Sequence, residues 1–131
     1  MKLFYATFAG VIAAFISMMF LEGLGHSLFP IPFEVDPKNL DAIADKLHLI
    51  PVQMYISVVF AHGIGLLIGL LIAKLIDKAS KISLYIIAGF FLVGTVVNLF
   101  MIPHPIWFAI ADLGIVVLVG LLMIRRPLPV K

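Results

Sequence analysis

Four long apolar runs limit how this chain can fold. A helix needs about 20 apolar residues to cross the hydrocarbon core of a bilayer, because each residue adds about 1.5 Å. Runs of roughly this length begin after Lys2, Pro51, Lys81 and Pro105. We predict an all-α fold, an integral membrane four-helix bundle that forms a single domain over 1–131, with spans at about 3–29, 52–76, 82–102 and 106–124.

The composition supports a membrane location and excludes several kinds of site. Hydrophobic residues make up 63% of the chain and charged residues 12%, and 131 residues could not bury that much apolar surface in water. The net charge of +2 is not gathered into a basic face, so we expect the lipid bilayer as a partner and no nucleic acid. Because cysteine is absent, disulfides, cysteine-ligated zinc, iron–sulfur clusters and a thiol nucleophile are excluded.

The basic residues predict the orientation in the membrane. Cytoplasmic loops carry the excess of lysine and arginine. Seven of the nine basic residues fall on one side of the predicted bundle, namely Lys2, Lys74, Lys78, Lys81, Arg125, Arg126 and Lys131. The other two, Lys38 and Lys46, lie in the loop between spans one and two. We therefore expect both termini in the cytoplasm, and we interpret the first run as a retained helix and not a cleaved signal.

The loop between spans one and two predicts a short amphipathic helix on the outer side. Asp36 can cap a helix that begins at Pro37, and apolar residues then recur at helical spacing at Leu40, Ile43, Ala44 and Leu47. A helix over about 37–49 is too short to span, so it lies on the membrane surface or folds over the bundle as a lid. Its polar face, with Asp41, Asp45 and His48, is explained by contact with solvent.

Small residues in the second span predict close helix packing. Ala61, Gly65, Gly69 and Ala73 recur every four residues and therefore share one face. The first span has two similar rows, Ala6, Gly10, Ala14 and Ala9, Ala13, Ser17. From the small size of the bundle we also expect a homo-oligomer, whose contacts such faces could form.

Acidic and histidine side chains inside the spans are the candidate functional residues. A charged side chain in hydrocarbon costs roughly 3 kcal/mol, so it normally faces protein, water or an ion. Glu22 and His26 share a face of the first span, and His62 and Asp112 fall in the outer half of the second and fourth. We predict that these four side chains converge, with Asn98 and His104 as accessory polar groups.

Two interpretations of this cluster remain open. Carboxylate and imidazole ligands suit a divalent metal ion such as zinc, manganese or iron, and the same groups can hold a proton. Alternatively, each carboxylate pairs with a histidine only to join helices. Asn98 can cap or bridge helices, and His104 can be a solvent-exposed turn residue; no spacing here matches a specific metal motif.

Two segments of the chain resemble each other. Phe20-Leu-Glu22-Gly23-Leu-Gly25 is similar to Phe60-Ala-His62-Gly63-Ile-Gly65. Since spans one and two run in opposite directions, the two segments would form an inverted pair, a pattern found around the binding sites of transporters. The alternative is chance similarity between two six-residue segments rich in glycine and phenylalanine.

Three stretches carry a resemblance to a known group of proteins. The segment 98–108, which contains Pro103-His104-Pro105, together with 22–26 and Asp36-Pro37, resembles small four-span bacterial inner-membrane proteins of uncharacterised function. The resemblance implies a bacterial plasma membrane and four spans, and it implies no activity.

Three functions are compatible with the sequence. The first is an outward-facing cavity with glutamate, histidine and aspartate that binds or transports a cation or proton. The second is a small membrane enzyme in which Glu22 or His62 acts as general acid or base on a lipid-like, apolar substrate. The third is an accessory subunit that has no ligand of its own.

Overall fold

The computed structural model describes residues 1–36, 38–39 and 41–126. The regular secondary structure of these residues is helical. The long helices are α1 (Lys2–Leu28), α3 (Val52–Ile76), α4 (Ile82–Met101) and α5 (Ile106–Arg125). Each of these is long and apolar enough to cross a membrane. The predicted all-α fold with four long apolar helices is confirmed, and it indicates a multi-pass membrane protein.

Prolines set several of the helix ends, because proline has no N–H for the helix interior and clashes with the preceding turn. Pro51 and Pro105 are the N-cap residues of α3 and α5. Pro30 follows closely on the end of α1, and Pro103 on the end of α4. The apolar runs are thereby divided into separate helices.

The loop after α1 contains two short helical segments. These are α2 (Asp41–Ala44) and a 3₁₀ turn over Leu47–Leu49. Pro37 and Leu40 lie outside the described residues, so a continuous helix over 37–49 stays a prediction. Asp36 accepts a hydrogen bond from the backbone N–H of Lys38 at 2.9 Å, which is a local turn.

Helices α1 and α3 pack closely in antiparallel directions. A Cβ at Gly69 would meet the backbone oxygen of Gly10, and one at Gly10 would lie 2.8 Å from the oxygen of Gly69. Gly65 likewise packs against Met18 and Ala14. The small residues predicted for helix packing, Ala61, Gly65, Gly69 and Ala73, are all buried. Of these, Gly65 and Gly69 pack against α1 of the same chain.

Helices α4 and α5 complete the bundle. Helix α5 runs parallel to α3, since Tyr55 contacts Phe108 and Gly63 packs on Ile115. Helix α4 runs antiparallel to α5, with Ala88 next to Gly120. At the end near the chain's last described residues, the Nζ of Lys81 donates to the carbonyl of Ile124 at 2.7 Å. This bond satisfies an unpaired carbonyl in the last turn of α5.

The outside of the bundle is apolar. Phe4, Phe8, Phe60 and Phe100 have 58–88% of their surface exposed. A water-soluble protein rarely exposes so many large apolar side chains, whereas in a bilayer they contact lipid tails. The exposed aromatic surface therefore agrees with a membrane location.

Candidate functional site

Three of the predicted site residues meet in the interior of the bundle. The imidazole of His62 on α3 lies between two carboxylates, with Nδ1 2.6 Å from Oδ1 of Asp112 on α5. Its Nε2 lies 3.0 Å from Oε1 of Glu22 on α1. The three side chains therefore join three helices through one ring.

Burial differs steeply across this Glu22–His62–Asp112 triad. The side chain of Asp112 is fully buried, that of His62 is 13% exposed, and that of Glu22 is 36% exposed. The second carboxylate oxygen of Asp112, Oδ2, is buried and has no hydrogen-bond partner. The triad thus runs from a closed interior position at Asp112 to an accessible one at Glu22.

The two short contacts require a dissociable proton. A neutral imidazole has one N–H and one lone pair, whereas an ionised carboxylate only accepts hydrogen bonds. Both contacts are therefore hydrogen bonds only when the ring is protonated or when one carboxyl group carries the extra proton. In either arrangement the triad has one net negative charge, and loss of that proton leaves two.

The triad forms part of the wall of a large cavity. The cavity has a volume of about 730 Å³ and is lined by residues of α1, α3, α4, α5 and the loop after α1. Glu22 and His62 line it, and Asp112 lies behind His62. A mostly apolar cavity of this size with a few converging polar groups is the usual form of a small-molecule site.

The remaining predicted site residues also line this cavity but stand apart from the triad. His26 and Asn98 are in its wall. No hydrogen bond or ion pair of the described residues involves either side chain. His26 therefore shares the cavity with Glu22, and the structure does not bring it into the network that was expected to include it.

His104 is half-buried in the cavity wall, not solvent-exposed as a turn residue would be. Its ring stacks on Phe108, with centroids 4.8 Å apart and an interplanar angle of 21°. Burial lowers the pKa of His104 below its usual value, and its buried Nδ1 has no hydrogen-bond partner. The Pro103-His104-Pro105 turn folds back towards the bundle, which its sequence does not indicate.

No group of three acidic or histidine side chains within 1–36, 38–39 and 41–126 has an arrangement that could hold a metal ion. The reason within the triad is that both nitrogens of His62 face carboxylate oxygens at hydrogen-bonding distance. A divalent metal at Glu22, His26, His62 and Asp112 stays a prediction without support from the geometry.

The aromatic part of the site is not indicated by the sequence. The cavity wall includes Phe15, Phe90, Phe91 and Phe108. Tyr55, which contacts Phe108, also lines the cavity, and its buried hydroxyl has no hydrogen-bond partner. Thr95 adds a further buried polar side chain. Phenylalanine is also frequent on the lipid-facing surface, so its identity gives no signal of a cavity position.

The loop after α1 covers one end of the cavity. Its apolar residues Ile31, Val35, Ile43 and Ile50 are part of the lining. Ile43, in the short helix α2, is buried, whereas Asp41, Asp45 and His48 are exposed. That this polar face contacts solvent stays a prediction.

The two similar segments of α1 and α3 contact each other at corresponding positions. Glu22 and His62, which occupy the same place in the two segments, are the pair 3.0 Å apart. Gly25 packs against Ser57, and the corresponding Gly65 packs against Met18. The two helices therefore have an approximate local twofold relationship centred on the Glu22–His62 contact.

Comparison with known proteins identifies no relative: no family model, no curated protein and no solved structure matches the chain.

Proposed function

We propose that this multi-pass membrane protein binds a cation in the cavity in competition with a proton held by Glu22, His62 and Asp112. One observation carries the proposal: the His62 ring lies between two carboxylates, 2.6 and 3.0 Å away, in the wall of an apolar cavity of about 730 Å³. An intramembrane acid with such partners is a functional candidate by default.

Charge provides the coupling between proton and cation. The triad carries one net negative charge with its extra proton and two without it. In a medium of low dielectric constant the second negative charge strongly favours a nearby cation. A cation next to Glu22 in turn favours loss of the proton, because the effects of two linked ligands on each other are reciprocal.

The experiment is cation binding measured as a function of pH. Protein in detergent is titrated calorimetrically with Na⁺, Zn²⁺ and benzyltrimethylammonium at several pH values. We expect affinity for at least one of these cations to rise with pH, and Glu22→Gln to remove the rise. Glu34→Gln, which removes an exposed loop carboxylate, is the matched control. Failure of all three cations to bind would overturn the proposal.

A second candidate function is supported by the Asp112–His62 pair. A buried carboxylate hydrogen-bonded to Nδ1 orients the imidazole in the same way as in enzymes that use histidine as a general base. The apolar cavity suits a lipid-like substrate. Against it, Nε2 of His62 is already in contact with Glu22. The test is chromatography of a lipid extract after incubation with the protein. The enzyme function requires a change in composition that His62→Ala abolishes.

We also propose the location expected from the sequence, a bacterial plasma membrane with both termini in the cytoplasm. The supporting observation is that six of the eight basic residues among the described residues lie on one side of the four apolar helices, and the other two lie in the loop after α1. Under this orientation the triad lies in the outer half of the membrane. The homo-oligomer stays a prediction.

A further inference from the structure

We propose that the cavity takes a lipophilic organic cation, with its charge next to Glu22 and its apolar part against phenyl rings, and that this ligand arrives from the bilayer between α1 and α4. The inference rests on the proposed cation site and specifies the chemical class of its ligand. Its three supports are the charge of the triad, the aromatic wall and the exposure of the α1–α4 contact.

The polar groups of the cavity suit a cation that needs few hydrogen bonds. A small inorganic cation loses most of its water on binding and requires several oxygen or nitrogen ligands in return. Here the carboxylate in the cavity wall is that of Glu22. Among the described residues, no three acidic or histidine side chains are arranged so that they could hold a metal ion. A substituted ammonium spreads its charge over carbon and requires no such ligand shell.

The aromatic wall supplies the remaining attraction. Phe15 and Phe91 are in contact, with ring centroids 5.1 Å apart, and Phe15 and Phe90 are 6.1 Å apart. These rings and Glu22 line the same cavity. Aromatic faces attract organic cations, most strongly where water is excluded. The wall thus combines apolar contact with a preference for positive charge.

The contact between α1 and α4 is the side of the cavity that faces the bilayer. Phe15, Met19, Phe90 and Gly94 line the cavity and are themselves exposed. A Cβ at Gly94 would meet no atom within 4 Å, in contrast to the closely packed glycines between α1 and α3. A molecule dissolved in the lipid can therefore reach the cavity at this position, which favours an apolar ligand.

The first test compares two ligands of the same shape. Benzyltrimethylammonium and its neutral carbon isostere, neopentylbenzene, are titrated against the protein in detergent by calorimetry. Fluorescence of the only tryptophan, Trp107, is a second readout, because its ring contacts Tyr55 and Phe108 of the cavity wall. We expect the cation to bind at least about tenfold more tightly, and Glu22→Gln to reduce this difference, because only the attraction to the aromatic wall then remains. Equal binding of the two, or no difference caused by Glu22→Gln, would overturn the inference.

Two pairs of variants test the wall and the route. Phe15→Leu should weaken binding of benzyltrimethylammonium about tenfold, while Phe8→Leu, on the same helix but outside the cavity, should not. Gly94→Leu fills the α1–α4 position and should slow the association of benzyltrimethylammonium, followed by rapid-mixing fluorescence of Trp107, whereas Gly89→Leu, equally free of neighbours on α4, should not. If Gly94→Leu leaves the association rate unchanged, the route is wrong; if Phe15→Leu leaves the affinity unchanged, the aromatic contact is wrong.

The inorganic cations separate this inference from the function on which it rests. If Na⁺ or Zn²⁺ binds with the expected pH dependence and benzyltrimethylammonium does not bind, the ligand class is wrong and the proton–cation site stands. If none of the cations binds, both proposals are overturned.

Discussion

Nδ1 of His62 lies 2.6 Å from Oδ1 of Asp112, a carboxylate with no exposed surface. This pair holds the ring so that its other nitrogen faces Glu22 at the edge of the cavity. The buried carboxylate fixes the orientation of the imidazole, whereas the partly exposed carboxylate lies in the wall of the cavity. The two acids therefore have different roles, which their substitution can separate.

Asp112→Ala should destabilise the protein by about 2 kcal/mol, because it leaves a buried N–H of His62 without an acceptor. Asp112→Asn should be less damaging, because the amide oxygen can still accept from Nδ1–H. Thermal unfolding in detergent measures both. Glu22→Gln, at the partly exposed position, is the comparison and should have the smallest effect. Equal stability of wild type and Asp112→Ala would show that the bond contributes nothing.

Gly69→Ala should destabilise the packing of α1 on α3 by roughly 1–3 kcal/mol, because the added methyl group would collide with backbone at Gly10 and not with a flexible side chain. Gly89→Ala is the control. It has no neighbour within 4 Å and removes a helical glycine, so it should be neutral or slightly stabilising. Unfolding in a denaturing detergent series compares the two, and an equal response would contradict the packing described.

Stability should fall in acid partly because of His104. Burial lowers the pKa of His104 in the folded protein below its usual value of 6.5, so the unfolded chain takes up the proton at a higher pH. The contribution is complete above about pH 6.5 and is lost as the pH falls towards the lower folded pKa. The charged neighbours of the ring are Asp112, which opposes the shift, and His62, which adds to it.

His104→Gln should therefore flatten the loss of thermal stability between neutral and mildly acidic pH. His48→Gln, at an exposed loop position, should leave the pH profile as it is in the wild type. Parallel pH profiles for the wild type and His104→Gln would show that this histidine does not cause the loss of stability in acid.

The sequence predicts the helices of this fold well because hydrocarbon imposes a simple requirement. A run of about 20 apolar residues between prolines or charged turns leaves a helix as the solution that satisfies every backbone group. Depth along each helix was also predictable, since the rise per residue places Glu22, His62 and Asp112 at a similar level. The structure brings these three side chains together.

Rotation of the helices about their axes could not be predicted. These helices are apolar on all sides, so the pattern does not say which face points inward. His26 shares a helical face with Glu22, yet its side chain makes no hydrogen bond or ion pair among the described residues. The burial of His104 depends on how its turn folds back onto Phe108, a tertiary contact that has no local signal.

The sequence also could not predict which helix packs on the small-residue face of α3. Gly65 and Gly69 indicate close approach of another helix, but the pattern is the same for a helix of the same chain and for one of a second copy. In the structure α1 occupies this face. Substitutions there consequently report on folding of the chain and not on assembly of copies.

The most direct measurement for the central claim is the number of protons released when a cation binds. Wild-type protein in weakly buffered detergent is saturated with the tightest-binding of Na⁺, Zn²⁺ and benzyltrimethylammonium, and released protons are counted with a pH indicator. We expect the release of about one proton per bound cation at a pH where the triad holds its extra proton, and no release from Glu22→Gln or His62→Gln. Saturation without proton release from the wild type would contradict it.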